Sequence, residues 1–228
     1  MEECISVFDM LKIGVGPSSS HTLGPWRAGE RFLEELREEK ILESTTRVKV
    51  DLYGSLSLTG RGHATDLAVM LGLSGQDPEY IPVENIDGII KTIEKTNTLL
   101  LANEYAISFH IHNDIIFNKD FLPFHSNGMM FTAYNAVGNE YTATYYSIGG
   151  GFVVKEERTN AKEKIKIKCA FPYLVNNAAE LLNFCISEEK SISEIVYENE
   201  KSMRTEEVID YELMRIWNTM LECMYIGC

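Results

Sequence analysis

Between Gly14 and Trp26 the chain reads GVGPSSSHTLGPW, which sets Ser18, Ser19, Ser20, His21 and Thr22 side by side between two glycine–proline breaks. Three roles suit such a run. It can be a plain linker, because Gly, Pro and Ser dominate ordinary loops. It can carry a nucleophilic serine activated by His21, although adjacent residues rarely make a good Ser–His pair and G-x-S-x-G is absent. Or it can be an anion cradle. Hydroxyls of Ser18, Ser19, Ser20 and Thr22 would then converge on a carboxylate or phosphate, together with the backbone N–H groups of a helix opening at Pro25. A helix dipole favours negative charge at that end.

Two more histidines stand beside glycine at junctions between elements, His63 in TGRGHATD and His125 in FHSNGM. Such a residue caps or steadies a loop, or it serves as a general acid or base, since imidazole titrates near neutral pH. His110 and His112 alternate along an expected strand and share a face, where a two-histidine metal site lacks a third ligand. Cys4, Cys169, Cys185, Cys223 and Cys228 show neither CxxC nor zinc spacing. Cys185 and Cys223 fall within helical patterns and read as apolar fillers.

Something must hold these groups in place. Pro25 suits the first turn of a helix, and Trp26, Ala28, Phe32, Leu33 and Leu36 follow at helical spacing. TRVKVDLY alternates as a half-buried strand does. A helix is expected to start near His63, and DGIIKTIEKTNTLLL reads as another. YAISFHIH, MMFTAYNA and EYTATYYSI read as strands, and FVVKEE follows a Gly149–Gly151 break. From Pro172 on the pattern is helical, with a capping box at Ser191 and Glu194 and a stripe of Ile209, Leu213, Trp217, Met220 and Met224. The expected organisation is an α+β domain over 1–155, a charged linker over 156–171 and a helical segment over 172–228.

The whole chain has 228 residues, a net charge of −13 and 45% hydrophobic residues, an ordinary composition for a folded protein. The acidity, with no basic patch, argues against nucleic-acid partners. No apolar run approaches the ~20 residues that span a bilayer. The acidic start and the cysteine usage point to a reduced, cytoplasmic setting.

Four stretches in this order, SVFDMLKIGVGPSSSHTLGP, YGSLSLTGRGHATD, FHSNGM and TYYSIGGGFVV, closely resemble the iron–sulfur-dependent bacterial L-serine dehydratases. The resemblance covers essentially the whole chain. It implies an N-terminal β domain, a mixed sheet with flanking helices similar to a small-molecule-binding domain of some phosphoglycerate dehydrogenases. A helical α domain follows, which holds a four-iron, four-sulfur cluster. Only the beginning of that α domain is matched, and the family's Asn-Gly-Ala-Cys-Gly stretch is missing, so no cluster ligand is assigned to this chain.

The implied reaction is α,β-elimination from L-serine to pyruvate and ammonia, with iron acting on the leaving hydroxyl. In it His63 is the base, His125 and Asn127 shape and polarise the site, and Ser18, Ser19, Ser20, His21 and Thr22 hold substrate. The implied partners are L-serine, an α domain or α chain in cis or trans, and a second copy in a homodimer. The chain by itself is then expected to be inactive. A serine-binding regulatory or scaffolding module is the competing reading.

Overall fold

The structure, a computed structural model, describes residues 4–156 and 171–227. In chain order these form α1 (Val7–Met10), a π-helical turn (Ser19–Leu23), α2 (Gly24–Glu38), β1 (Thr45–Leu52), α3 (Ser55–Thr59), a 3₁₀ turn (Gly60–His63) and α4 (Thr65–Leu73). Then come α5 (Val83–Thr96), β2 (Thr98–Leu101), β3 (Tyr105–Ser108), α6 (Ile111–Asp114), β4 (Ile115–Phe117), β5 (Gly128–Asn135), β6 (Glu140–Gly149) and β7 (Phe152–Lys155). Three helices follow residue 171: α7 (Ala178–Ser187), α8 (Ile192–Lys201) and α9 (Glu206–Gly227).

The seven strands make one mixed sheet in the order β2-β3-β1-β5-β6-β7, with β4 also paired to β1. The α+β class read from the sequence is the one observed. β1 is the organising strand: it runs parallel to β3 and β4 and antiparallel to β5. Its Val48, Val50 and Leu52 are fully buried, as their alternation requires. α2 lays Trp26, Ala28, Phe32, Leu33 and Leu36 into the same core, and α4 adds Ala68, Val69, Met70, Leu71 and Leu73. These two helices touch backbone to backbone. A Cβ on Gly72 would collide with the Trp26 carbonyl, and one on Gly29 would sit 3.1 Å from Leu73 N, so glycine at both places lets the pair close.

Two local expectations give way. The DGIIKTIEKTNTLLL helix stops at Asn97, whose left-handed backbone (φ 50°) caps it by an N–H bond to the Ile93 carbonyl; Thr98–Leu101 then enters the sheet. The YAISFHIH strand ends at Ser108. Buried Asp114 accepts from His110 N at 2.6 Å and from Arg47 Nε at 2.7 Å, which curls the chain into α6. His110 and His112 therefore share no strand face, and the two-histidine metal reading falls with it.

The described residues divide into two compact units, 14–156 and 4–13 with 171–227. Residues 4–13 thus group with the helices, where the sequence reading places them in the 1–155 domain. Long-range hydrogen bonds from Ser6 and Val7 to Glu200 draw them there, and no local pattern announces such bonds. Most of the 156–171 linker lies outside the described residues. In the helical unit the Ser191–Glu194 capping box forms as expected. α9 fully buries Ile209 but leaves Trp217 50% exposed. No helix of the described residues is long and apolar enough to cross a membrane.

Candidate functional site

The Ser-rich run is neither loop nor linker: it is the wound entrance to α2. Ser18 stays extended and caps the turn, its hydroxyl accepting from His21 N at 3.2 Å. Its carbonyl accepts from Thr22 N and from Leu23 N, and the second of these bonds spans five residues and makes the turn a π turn. Gly24 N bonds the Ser19 carbonyl in the same register.

This winding leaves carbonyls without their usual partners, and two hydroxyls take them. Pro25 has no N–H for the His21 carbonyl four residues back, and Thr65 Oγ1 donates to that carbonyl at 2.6 Å. The Ser20 carbonyl, passed over by Gly24 N, accepts from Ser147 Oγ at 2.8 Å. A Cβ on Gly24 would strike Ser147. The π turn, the start of α4 and β6 are thereby fastened together around His21.

The His21 ring is held on both sides. Nδ1 pairs with Ser20 Oγ and Nε2 with Ser55 Oγ, each at 2.9 Å. Burial pushes its pKa below the ordinary value, and neighbouring His63 adds to this, while the Ser55 contact opposes it. Near neutral pH His21 is an uncharged imidazole that donates through one nitrogen and accepts through the other, to hydroxyls free to rotate.

The His63 ring lies 5.1 Å from that of His21, tilted by 52°. His63 ends the 3₁₀ turn, and Ala64 in left-handed conformation (φ 54°) starts α4 behind it. Its backbone carbonyl accepts from Thr22 Oγ1 at 2.8 Å. Its ring is half-buried, and among the described residues its nitrogens have no hydrogen-bond partner.

His125 and Asn127 lie in the loop before β5, which Ser126 and Asn127 tie to Ser55 and Ser147. Gly54, at φ 55° and ψ −127°, lets Ser55 N bond the Ser126 carbonyl at 2.8 Å, and a Cβ there would meet that carbonyl. His125 Nδ1 accepts from Asn127 N at 3.1 Å, which places the proton of the neutral ring on Nε2. Buried Asn127 donates from Nδ2 to the Ser147 carbonyl at 3.1 Å and accepts Ser147 N at its own carbonyl.

Ser18, Ser20, His21, Thr22 and His63 thus meet, with Asn127 tied in through Ser147, but their tasks differ from a cradle of free hydroxyls. Ser18 caps, Ser20 holds His21, and Thr22, 3% exposed, holds the His63 backbone. Ser19 alone of the four points outward as an exposed residue. Sequence reasoning missed Ser55, Thr65 and Ser147. Ser147 left the clearest trace, a small polar residue fully buried in a strand between Tyr146 and the glycine run.

Among the described residues, no donor set for the cluster that the resemblance implies is grouped in one place. Cys185 is half-buried on α7, Cys223 is exposed on α9, and both are free. No group of three or more His, Cys, Asp or Glu among the described residues is arranged to hold a metal ion. Cys4 is disulfide-bonded, where cysteine usage had suggested reduced thiols, because chain spacing does not show which thiols a fold brings together. Cys169 and Cys228 lie outside the described residues.

Comparison with known proteins places the chain. Residues 6–158 match the family model described as "Serine dehydratase beta chain". The chain is 42% identical over 224 residues to "L-serine dehydratase 1" of Escherichia coli K12, covering 98% of this chain and 49% of that protein. It is 42% identical over 225 residues to the "L-serine dehydratase" of Streptomyces coelicolor (98% and 50%) and 41% identical over 225 to that of Haemophilus influenzae (98% and 49%). The chain spans about half the length of the curated relatives it matches. With the match running from Ser6 through β7, the chain belongs to the serine dehydratase beta chain family.

Proposed function

We propose that this chain supplies the beta part of a site that converts L-serine to pyruvate and ammonia by α,β-elimination. The relatives' names support the substrate and reaction class. The observation that carries the residue roles is the contrast between His21, bonded at both ring nitrogens, and His63, bonded at neither among the described residues.

His63 removes the proton from Cα of the substrate. His21, kept uncharged beside it, adds no repulsion as the His63 ring gains charge. The Cα electron pair forms the Cα–Cβ double bond, the hydroxyl leaves Cβ and with the proton taken by His63 makes water, and the aminoacrylate hydrolyses to pyruvate and ammonia. His125, donating through Nε2, and Asn127, fixing the loop and Ser147, shape the site. Ser19 and the first amides of the π turn receive the substrate carboxylate, while Ser18, Ser20, His21 and Thr22 hold that turn in shape. A four-iron, four-sulfur cluster with ligands outside this chain belongs to the proposal, and none of the steps assigned to these residues passes through it. The α part, in cis or trans, completes the enzyme, the beta part by itself being inactive, and a homodimer is its assembled state.

The test is His63→Ala in enzyme completed with the α part. Turnover should fall ~100- to 10,000-fold, as for loss of a general base, with little change in apparent affinity or melting temperature. A lower melting temperature with normal turnover would make His63 a structural cap and leave His125 as the base.

A further inference from the structure

Glu200 is 2% exposed, yet its carboxylate has three donors. Oε1 accepts from Val7 N at 2.8 Å; Oε2 accepts from Ser6 Oγ at 2.8 Å and from Arg204 Nη1 at 2.6 Å. Two of the three come from the N-terminal segment, 193 and 194 positions away in sequence. Phe8 lies under Arg204, with the guanidinium carbon 4.9 Å from the ring centroid. Val7 lines an apolar groove with Ile192, Val196, Tyr197, Ile209 and Leu213 of α8 and α9. Without the segment, this buried carboxylate would keep Arg204 alone and lose two hydrogen bonds, a costly state for a charge out of water.

The bounds of the family match give this contact its meaning. The match begins at Ser6 and ends at residue 158. The segment that docks on the helical unit therefore belongs to the beta module, whereas Glu200, Arg204 and the groove residues of α8 and α9 lie beyond it. A beta chain that stops where the match stops would still carry the docking residues.

We infer that Ser6–Met10 is a docking element by which a beta part binds the helical part non-covalently, so that the two assemble through it when supplied as separate chains. The partner it fits is the helical segment that follows residue 171, offered by the same chain or by another. Ser6 and Val7 supply two donors at a fixed spacing, Phe8 supplies an aromatic face, and Glu200 with Arg204 reads them. This recognition needs no serine turnover, and its test stands apart from that of the proposed function.

In the test, a site-specific protease sequence replaces residues 159–164 of the full chain, and the folded protein is cut under reducing conditions, so that no disulfide holds the pieces. The two pieces should remain associated on size exclusion, with a measurable dissociation constant. Val7→Pro removes one donor while keeping the first helical position proline-compatible, and Ser6 is already extended, at φ −66° and ψ 149°, as a residue before proline must be. Ser6→Ala removes the other donor. Each should weaken association roughly 10- to 100-fold, as loss of a hydrogen bond to a charged group does. Both substitutions lie outside the helical part, so its folding is not at stake. Separation of the wild-type pieces would overturn the inference. So would undiminished association of the Val7→Pro and Ser6→Ala pieces, which would mean that other contacts hold them.

Discussion

The sheet unit and the helical unit treat the same kinds of residue in opposite ways. In the sheet unit Trp26, Phe32, Leu36, Phe131 and Tyr145 are all but inaccessible, because helices on a sheet close a layer over them. In α9, Leu213, Met214, Trp217, Met220 and Met224 recur at helical spacing and are left exposed. An apolar stripe becomes core only when a second layer meets it. The curated relatives, about twice as long as this chain, have the length to supply one.

The sharpest way to break this contrast is to truncate one large residue on each side. Phe32 packs 5.2 Å from the Phe131 ring and 6.1 Å from the Tyr141 ring, centroid to centroid. Phe32→Ala should cost the sheet unit ~3–5 kcal/mol, with a melting temperature lower by about 2–4 °C for each kcal/mol. Trp217→Ala should leave that transition in place and reduce self-association measured by light scattering, since it shrinks an exposed apolar face. An equal loss of stability from both would show that α9 is already core.

A smaller effect is expected where the backbone itself is strained. Gly54→Ala forces a side chain into a conformation reserved for glycine and against the Ser126 carbonyl. It should cost of order 1–3 kcal/mol and lower turnover of the completed enzyme by shifting Ser55 and His125. Wild-type melting and turnover would mean that the loop before β5 is not tied to this turn.

How much of this was legible depended on the range of the forces involved. Val48, Val50 and Leu52 announced β1 by alternation, and Ser191 with Glu194 announced a helix start, because both signals act within a few residues. His63 and His125 stood out by chemistry and by their glycine neighbours. The π turn was hidden because it depends on which hydroxyls take the released carbonyls, and Thr65 and Ser147 lie 44 and 127 positions from their partners. Asn97 ended a helix by a left-handed cap that an apolar count overlooks. Ser6 and Val7 were placed by a carboxylate 194 and 193 positions further along the chain.

The smallest expected effect is one of pH. His21 favours the neutral form in the fold, so the unfolded chain binds its proton first, near the ordinary pKa of 6.5. The stabilising contribution should be complete above that pH and be lost progressively as pH falls through it toward the lowered folded value. Denaturant melts of wild type and His21→Asn between pH 5 and 8 would show a slope in the first and a flatter profile in the second. Identical profiles would remove burial of His21 as the cause.

The chain has two tryptophans, Trp26 and Trp217, one in each unit. Trp26 is 1% exposed, with its indole N–H donating to the Gln76 carbonyl at 2.6 Å. Light emitted from that ring should lie to the blue and resist quenching by iodide. Emission from Trp217 should lie to the red and be quenched readily, until something covers α9. A single fluorescence titration can therefore follow the two units separately: loss of the blue component reports melting of the sheet unit, and protection of the red one reports the arrival of a second layer.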